Sequence, residues 1–385
     1  MKKAFKTEIQ LTPNQVEKVH QTIGVCRYVY NLYLATTQTY YEKEKKFLSG
    51  MDFSKWLNNI HTKEKDGWIK KVSSKAVKQA IMNGEKAYKN FFQGKAKFPR
   101  FKKKKNQDVK AYFPKNNQTD WTVERHRIKI PTLGWVKLKE FGYIPIHVQV
   151  RSGTVSQKAG RYFLSVLCEI QPENVGVKNT NHDGIGIDVG LKEFAVCSNG
   201  DVFGNINHSK RIKKLEKRLK RQQRKLSRKY ENKKKGGETC FKNIQKQIKI
   251  IQTSHARLAN IRKEYVRDVV NRVVKTNPSF VSMEDLNVKG MLRNKHLADS
   301  VRKQNFYYFR TWMGQKCKQK GIEFRLVNRF YPSSKLCSGC GHKKVRLSLS
   351  ERIYKCETCG NVINRDLNAS LNLKNTNNYA VVTTR

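Results

Sequence analysis

Two Cys-X-X-Cys pairs near the C-terminus constrain this chain more tightly than any other feature. Cys337-Ser338-Gly339-Cys340 is followed, after 15 residues, by Cys356-Glu357-Thr358-Cys359. Each pair presents two thiolates from a tight turn, with Gly341 and Gly360 just behind, and two such knuckles can enclose one Zn2+ tetrahedrally. A segment this small holds no core of its own, so the metal would supply its folding free energy. The competing reading is two redox motifs, but redox pairs sit at helix starts, and two at this spacing fit a ribbon better. A zinc ribbon built on Cys337, Cys340, Cys356 and Cys359 is therefore expected. Cys26, Cys168, Cys197, Cys240 and Cys317 are scattered, which fits a reducing compartment rather than a disulfide framework.

The ribbon is basic, with Lys335, Lys343, Lys344, Arg346, Arg352 and Lys355, and so is the whole chain. Its 385 residues include 80 Lys or Arg against 30 Asp or Glu, a net charge of +50. Such a balance argues against an enzyme for small neutral substrates and for a polyanionic partner, nucleic acid first. At 38% hydrophobic the chain still builds ordinary cores, over several domains. The longest uncharged stretch, Tyr28 to Tyr41, is 14 residues with five tyrosines, too short and polar to cross a bilayer. The N-terminus lacks the apolar core of a signal peptide. A cytoplasmic protein with no membrane partner is expected.

Along the chain, residues 1–13 read as a strand ending at Thr12-Pro13, where Thr12 can cap a helix. Helical spacing then runs to about Phe92, followed by a basic connector, Phe98-Pro99-Arg100-Phe101-Lys102-Lys103-Lys104-Lys105. Strand-type alternation follows at Arg127–Ile130, Trp135–Leu138, His147–Val150 and Tyr162–Val166, suggesting a small barrel or twisted sheet to which the first strand returns. A new region begins near Asp183 with strands Ile185–Asp188 and Phe194–Cys197 around turns at Gly190 and Asn199-Gly200. Residues 210–235 then form a helix holding 15 Lys or Arg and two acids. Charge runs are usually solvated, but here one sign so dominates that the helix is expected to face nucleic acid through Lys210, Arg211, Lys214, Arg218 and Arg221. After Gly236-Gly237 a second helix runs to about Lys275, burying Ile244, Ile248, Ile251, Leu258, Ile261, Tyr265, Val269 and Val273.

Three acids stand out in this basic half. Asp188 ends one apolar strand, Glu284 ends another (Ser279–Met283), and Asp366 opens a helix over Asp366–Leu373. Singly, each is an ordinary cap or turn residue. Together, at strand ends where an unpaired carboxylate is costly, they match the acid order of an RNase H-like nuclease, whose carboxylates hold two Mg2+ about 4 Å apart.

Four ordered segments now resemble a known family: Gly186-Ile187-Asp188-Val189-Gly190-Leu191-Lys192-Glu193-Phe194-Ala195, Met283 to Met291, Arg329 to Cys337, and Arg365-Asp366-Leu367-Asn368-Ala369-Ser370. They look like the signature segments of TnpB, the protein of small bacterial insertion sequences. Cys26-Arg27-Tyr28-Val29-Tyr30-Asn31 and the Phe98–Lys102 connector are similar to that family's N-terminal segments, and Asn364 departs from the acid many members carry there.

The resemblance implies an RNA-guided DNA endonuclease related to compact type V CRISPR effectors, with Asp188, Glu284 and Asp366 as catalytic magnesium ligands. It implies a multidomain α+β chain. A β-barrel-like wedge domain would take residues 1–13 and 108–180, and a helical recognition domain with the connector 14–107. An RNase H-like (RuvC) α/β nuclease core would take 181–330, with a basic hairpin at 207–276. The inserted zinc ribbon would be 331–362, and the last nuclease segment and tail 363–385. The partners implied are a guide RNA from the transposon end and a DNA target, duplex and single-stranded, in a monomeric ribonucleoprotein of the bacterial or archaeal cytoplasm, at the nucleoid when bound. Base pairing would supply specificity and the charge affinity.

On the helix around Ser73–Gln79, Lys75, Lys78 and Gln79 share a face, and they are expected to read a short target-adjacent motif, with Arg100, Lys102 and Lys335 as further nucleic-acid contacts. The bland reading of that face is a solvated one opposite Val72, Ala76 and Ala80. The alternatives are a transposase using the same acids, and a nuclease-dead RNA-guided repressor; the latter is expected to lose one of the three acids, and all three are present.

Overall fold

The computed structural model describes residues 2–103, 109–115, 121–170, 183–237, 240–348 and 350–382. The last connector lysines, Lys104 and Lys105, and the expected wedge boundary near residue 180 lie outside them. The chain divides into two compact units, Met1–Pro172 and Glu173–Arg385.

In the first unit the order is β1 (Lys2–Gln10), α1 (Pro13–Glu44), α2 (Gly50–Trp56), α3 (Thr62–Glu64) and α4 (Ser74–Phe92). Six strands follow: β2 (Val109–Pro114), β3 (Thr122–Val123), β4 (Arg127–Ile130), β5 (Gly134–Leu138), β6 (Gln149–Lys158) and β7 (Arg161–Glu169). Thr12 caps α1 through a reciprocal box: the Gln15 amide donates to Thr12 Oγ1 at 3.3 Å, and the Thr12 amide to Gln15 Oε1 at 3.0 Å. The strands form one antiparallel sheet in the order β2-β6-β7-β1-β5-β4-β3, so β1 is central, between β7 and β5. Its apolar positions, Phe5 and Ile9, join Ile128, Ile130, Val155, Leu164 and Val166 in the core. Helix α1 serves two cores. Val19 and Ile23 pack on the sheet, while Val25, Val29, Tyr33 and Leu34 meet Phe53, Leu57, Val77, Ile81 and Tyr88.

The second unit contains β8 (Ile185–Val189), β9 (Glu193–Cys197), β10 (Val202–Gly204), α5 (Lys210–Lys234), α6 (Phe241–Lys275), β11 (Phe280–Glu284), α7 (Val288–Met291), α8 (Ala298–Gln304) and α9 (Phe306–Lys320). It continues through β12 (Glu323–Val327), β13 (Ile353–Lys355), β14 (Val362–Asn364), α10 (Arg365–Asn375) and β15 (Tyr379–Val381). The main sheet runs β10-β9-β8-β11-β12-β15, with β8, β11 and β12 parallel at its centre and antiparallel strands at its edges. Val269, Val273, Phe309 and Met313 of α6 and α9 share its core with Ile187, Phe194, Val281 and Phe324.

Helices α5 and α6 pair as a hairpin whose own core is thin: Ile212, Leu219, Ile251 and Leu258. On α6, Val266 is buried, and the expected Tyr265 packs half-buried against the same core. Gln247 is also buried, because its amide donates to the backbone and side-chain oxygens of Gln222 on α5, at 3.0 and 2.8 Å.

Candidate active site and metal centre

The parallel ladder between β8 and β11 brings two of the three acids together. Val281 lies beside Ile185, Ser282 beside Gly186 and Met283 beside Ile187. The ladder ends there, and Asp188 and Glu284 are the next residue on each strand; strand alternation puts both on the face shared by Gly186 and Ser282.

Helix α10 lies directly on that face. A Cβ on Gly186 would sit 2.0 Å from Ser370 O and 2.5 Å from Lys374 N, so glycine is what lets the helix backbone approach the strand. Asn364 caps the helix, its Oδ1 accepting from the amides of Asp366 and Leu367 at 2.9 and 3.1 Å. The cap role open to Asp366 therefore belongs to Asn364, and Asp366 sits in the first turn of α10, where its charge acts on Asp188.

Burial, then the charges of Asp366 and Glu284, push the Asp188 carboxyl up to about 8, against lowering by Arg365 and the Val189 amide. Glu284 is also raised, by burial and then by Asp285. The three carboxylates form a loose group: among the described residues, only the four cysteines bring three or more ligand atoms within 4.8 Å of one another. Asp285 is occupied otherwise. Arg310 pairs with one of its oxygens, and Arg329 Nη2 lies 2.6 Å from the other.

The cysteine cluster is closed. Cys337 and Cys359 Sγ are 3.6 Å apart, as are Cys340 and Cys356 Sγ. Thiolate–zinc bonds of about 2.3 Å require tetrahedral S–S edges of about 3.8 Å, so the donor set suits one tetrahedral ion. Both knuckles close alike: Gly341 N donates to Cys337 O at 2.9 Å and Gly360 N to Cys356 O at 3.2 Å, each glycine in the left-handed region. Burial disfavours the Cys337 thiolate, but the amides of Cys340 and Gly339 and the neighbouring thiols bring it down to about 6. The thiols of Cys197 and Cys317, buried elsewhere, are pushed up to about 12 by desolvation. The knuckles and the strands β13 and β14 enclose fully buried Tyr354, whose hydroxyl donates to Lys335 O and His342 O at 3.1 and 3.3 Å.

Ribbon and acid helix are clasped by side chains of α10. Buried Asn368 donates to Leu336 O at 2.6 Å and accepts from Ser338 N, inside the first knuckle, at 2.8 Å. One turn later Asn372 donates to Ser333 O and Leu336 O, both at 2.8 Å. Arg365 reaches Ser348 O and Glu351 O at 3.0 and 3.3 Å. These residues, Gly186 and the Asp285 arginines were not singled out from the sequence. The available signal was two asparagines four residues apart among the apolar positions of α10.

The basic residues are mostly where an anion could meet them. Lys210, Arg211, Lys214, Arg218 and Arg221 are exposed along α5. Arg218 also lines a cavity of about 560 Å3, with Lys246, Lys249 and Arg257 around Leu215 and Ile250. Lys335 is partly buried, its ammonium donating to Val345 O at 3.2 Å.

In the first unit, Lys75 and Lys78 are exposed on α4, and Lys75 Nζ reaches Lys115 O at 3.0 Å. Gln79 lines a cavity of about 910 Å3 with Arg27, Asn83, Lys102 and Lys110. Arg100 is exposed, and the Lys102 ammonium lies 3.7 Å from the Tyr30 ring centroid. Among the described residues, no helix is long and apolar enough to cross a membrane.

Fold and site define a mixed α/β protein in which a four-cysteine ribbon is docked on an acid-bearing helix. Its fold is similar to a solved structure described as the Cas12f1–sgRNA–target DNA complex, at TM-score 0.61 and 15% identity, covering 97% of this chain and 99% of that one. Three family profiles match: a Cas12f1-like TNB domain at residues 306–373, the OrfB/IS605 “Probable transposase” at 165–295, and an OrfB/IS605 helix-turn-helix domain at 1–46. The last of these spans β1 and one unbroken helix, α1, in this fold. The “Putative RNA-guided DNA endonuclease InsQ” of Escherichia coli K12 is 30% identical over 96% of this chain and 91% of its own length. A Streptomyces pristinaespiralis protein described as “Putative RNA-guided DNA endonuclease” is 30% identical over 97% of this chain and 89% of its own length. The Cas12f1 of Sulfoacidibacillus thermotolerans, a CRISPR-associated endodeoxyribonuclease, is 26% identical over 56% of this chain and 50% of its own. The chain belongs to the TnpB family.

Proposed function

We propose that this protein is an RNA-guided DNA endonuclease whose sheet β8–β12 is an RNase H-like (RuvC) core, with Asp188, Glu284 and Asp366 as its catalytic carboxylates. The carrying observation is that Asp188 and Glu284 lie just beyond the last paired residues of β8 and β11, and that the charges of Asp366 on α10 and of Glu284 both act on the Asp188 carboxyl. Three acids gathered at one sheet end, in a chain of net charge +50, call for cations. A group too open for a single-ion cage suits a pair of Mg2+ ions about 4 Å apart, which when bound would activate water and stabilise the leaving oxygen. Asp188 and Glu284 hold the site from rigid strand ends, and Asp366 closes it from the helix. The relatives' descriptions as RNA-guided DNA endonucleases support the same reading. Affinity for guide and target comes from the basic helix α5 and the connector, through phosphate contacts.

RNA co-purifying with the protein, once sequenced, supplies the guide. A reprogrammed guide is then expected to redirect cutting to a matching DNA, in Mg2+ and not in EDTA. Cutting that is indifferent to guide sequence, or DNA joining in place of hydrolysis, would reject the reading in favour of a transposase.

The four cysteines hold one structural Zn2+. Elemental analysis of the untagged protein is expected to find one zinc per chain, and Cys337→Ser to lose it together with the ordered ribbon.

Gln79 is the residue best placed to read a target-adjacent base pair. It lines a cavity with cations around it, while Lys78 stays exposed for phosphate. In a cleavage screen over a randomised flanking library, Gln79→Ala is expected to relax preference at one or two positions, at about 1–3 kcal/mol. Lys78→Ala is expected to weaken all flanks alike. An unchanged flank profile in both variants would move motif reading elsewhere.

A further inference from the structure

Phe330 is 87% exposed, more than any other large apolar side chain among the described residues. A single exposed apolar residue is ordinary; what sets this one apart is how firmly it is held and where. Its amide donates to Asn328 Oδ1 at 2.9 Å, Tyr331 N to Asn328 O at 2.9 Å and Ser333 N to Tyr331 O at 2.8 Å. Arg329, its neighbour, is locked to Asp285. The ring is thus carried by a fixed loop that gives it no packing of its own.

The loop leaves β12 at Val327, the residue that pairs with Glu284 across the parallel ladder. Asp285 N also donates to Val327 O at 3.0 Å. Phe330 therefore stands three residues beyond the partner of a proposed catalytic acid, at the same end of the sheet as Asp188. The cations nearest the loop are already engaged, Arg310 and Arg329 by Asp285, and Arg365 by the carbonyls of Ser348 and Glu351. A neutral aromatic face is a contact that can hold a polyanionic strand close to the acids without pairing with them. Bases inside a duplex are already stacked on each other, so the face fits an unpaired base.

We propose that Phe330 stacks on an unpaired nucleobase of the DNA strand being cut and so positions the scissile phosphate for Asp188, Glu284 and Asp366. The inference rests on the nuclease reading above. Phe330 is a substrate-positioning residue, and Tyr or Trp can replace it where Leu cannot, because stacking needs a flat π-face.

The experiment uses the full chain with its guide RNA. Phe330→Ala is expected to slow single-turnover cutting roughly 10- to 100-fold, the size of one lost base stack, with unchanged melting temperature and target binding. Phe330→Trp restores the rate, and Phe330→Leu does not. In an uncut complex made with Asp188→Ala, 2-aminopurine is placed at successive positions of the target near the cut. It is expected to be quenched at one position with Phe330 and released from quenching in the Phe330→Ala, Asp188→Ala double variant. Wild-type cutting by Phe330→Ala, equal rescue by Leu, or 2-aminopurine emission indifferent to residue 330 would each overturn the inference. Cutting by Asp188→Ala would instead overturn the nuclease site, so the two failures are distinguishable.

Discussion

Asp188→Ala and Glu284→Ala are expected to reduce guided cleavage by at least roughly a thousandfold, about 4 kcal/mol of transition-state stabilisation, while guide and target binding stay near wild type. The separation follows from where the charges are. Binding draws on exposed cations such as Lys210, Arg211, Lys214, Arg218 and Arg221 on α5, and these are untouched. The carboxylates add only repulsion toward a phosphate until cations sit between them, so their removal does not weaken the complex. Gel-shift affinity and single-turnover cutting on the same preparations check both halves. Appreciable Mg2+-dependent cutting by Asp188→Ala would remove Asp188 from the mechanism.

The same residue carries a stability signature of opposite sign. Burial, Asp366 and Glu284 raise the folded-state pKa of Asp188 to about 8 from an ordinary 3.8. The folded protein therefore holds this proton more tightly than the unfolded chain does. The stabilisation is fully present below about pH 4 and is lost as pH rises toward 8. Asp188→Asn, uncharged at every pH, is expected to melt above wild type at pH 8 in EDTA, by on the order of 2–4 kcal/mol after allowance for partial exposure, with the gap closing toward pH 4. Saturating Mg2+ should narrow it from the other side by stabilising wild type alone. A variant dead in cleavage and more stable without metal is the pattern of a functional carboxylate; a structural salt-bridge partner would lose stability on the same change.

How far the sequence reveals this architecture depends on the range of the interaction that decides each element. The Thr12 cap, the turn at Asn199-Gly200 and the helices beginning at Lys210 and ending at Lys275 rest on local chemistry, and they are legible. So are the four cysteines, because their spacing is visible in one dimension; the three acids are visible singly, but their grouping depends on how β8, β11 and α10 pack. The central position of β1 is different: it depends on pairing Lys2–Ile9 with residues 162–169, a register that no local pattern encodes. Gln247 looks like a surface residue until Gln222 on the other helix arrives to satisfy its amide. Around the site, Asn368 and Asn372 read as polar interruptions of an amphipathic helix. Their meaning lies in carbonyls more than 30 residues upstream.

Gly186→Ala is expected to be among the most damaging one-carbon changes in the second unit. The added methyl would meet Ser370 O and the backbone of Lys374, which are main-chain atoms and cannot rotate away. The helix must lift, at about 1–3 kcal/mol of overpacking, and because Asp366 lies one turn before Ser370 it lifts the third acid from the other two. Cleavage is expected to fall at least tenfold beyond what lost stability explains, since displacements of about 1 Å already cost catalysis heavily. Gly184→Ala serves as the control: its methyl would strike the Phe280 ring at 2.1 Å, a clash as close, but with a side chain outside the acid helix that can turn aside. At a temperature where both are folded, the two variants should differ in cutting rate by more than their melting temperatures explain. Asn368 and Asn372 hold α10 from its other side through the first cysteine knuckle, so Asn368→Leu should add little to Gly186→Ala but impair an otherwise intact chain. Two sites coupled through one displaced helix are non-additive in this way. Equal cutting by the Gly184 and Gly186 variants would show instead that the close helix contact serves stability alone.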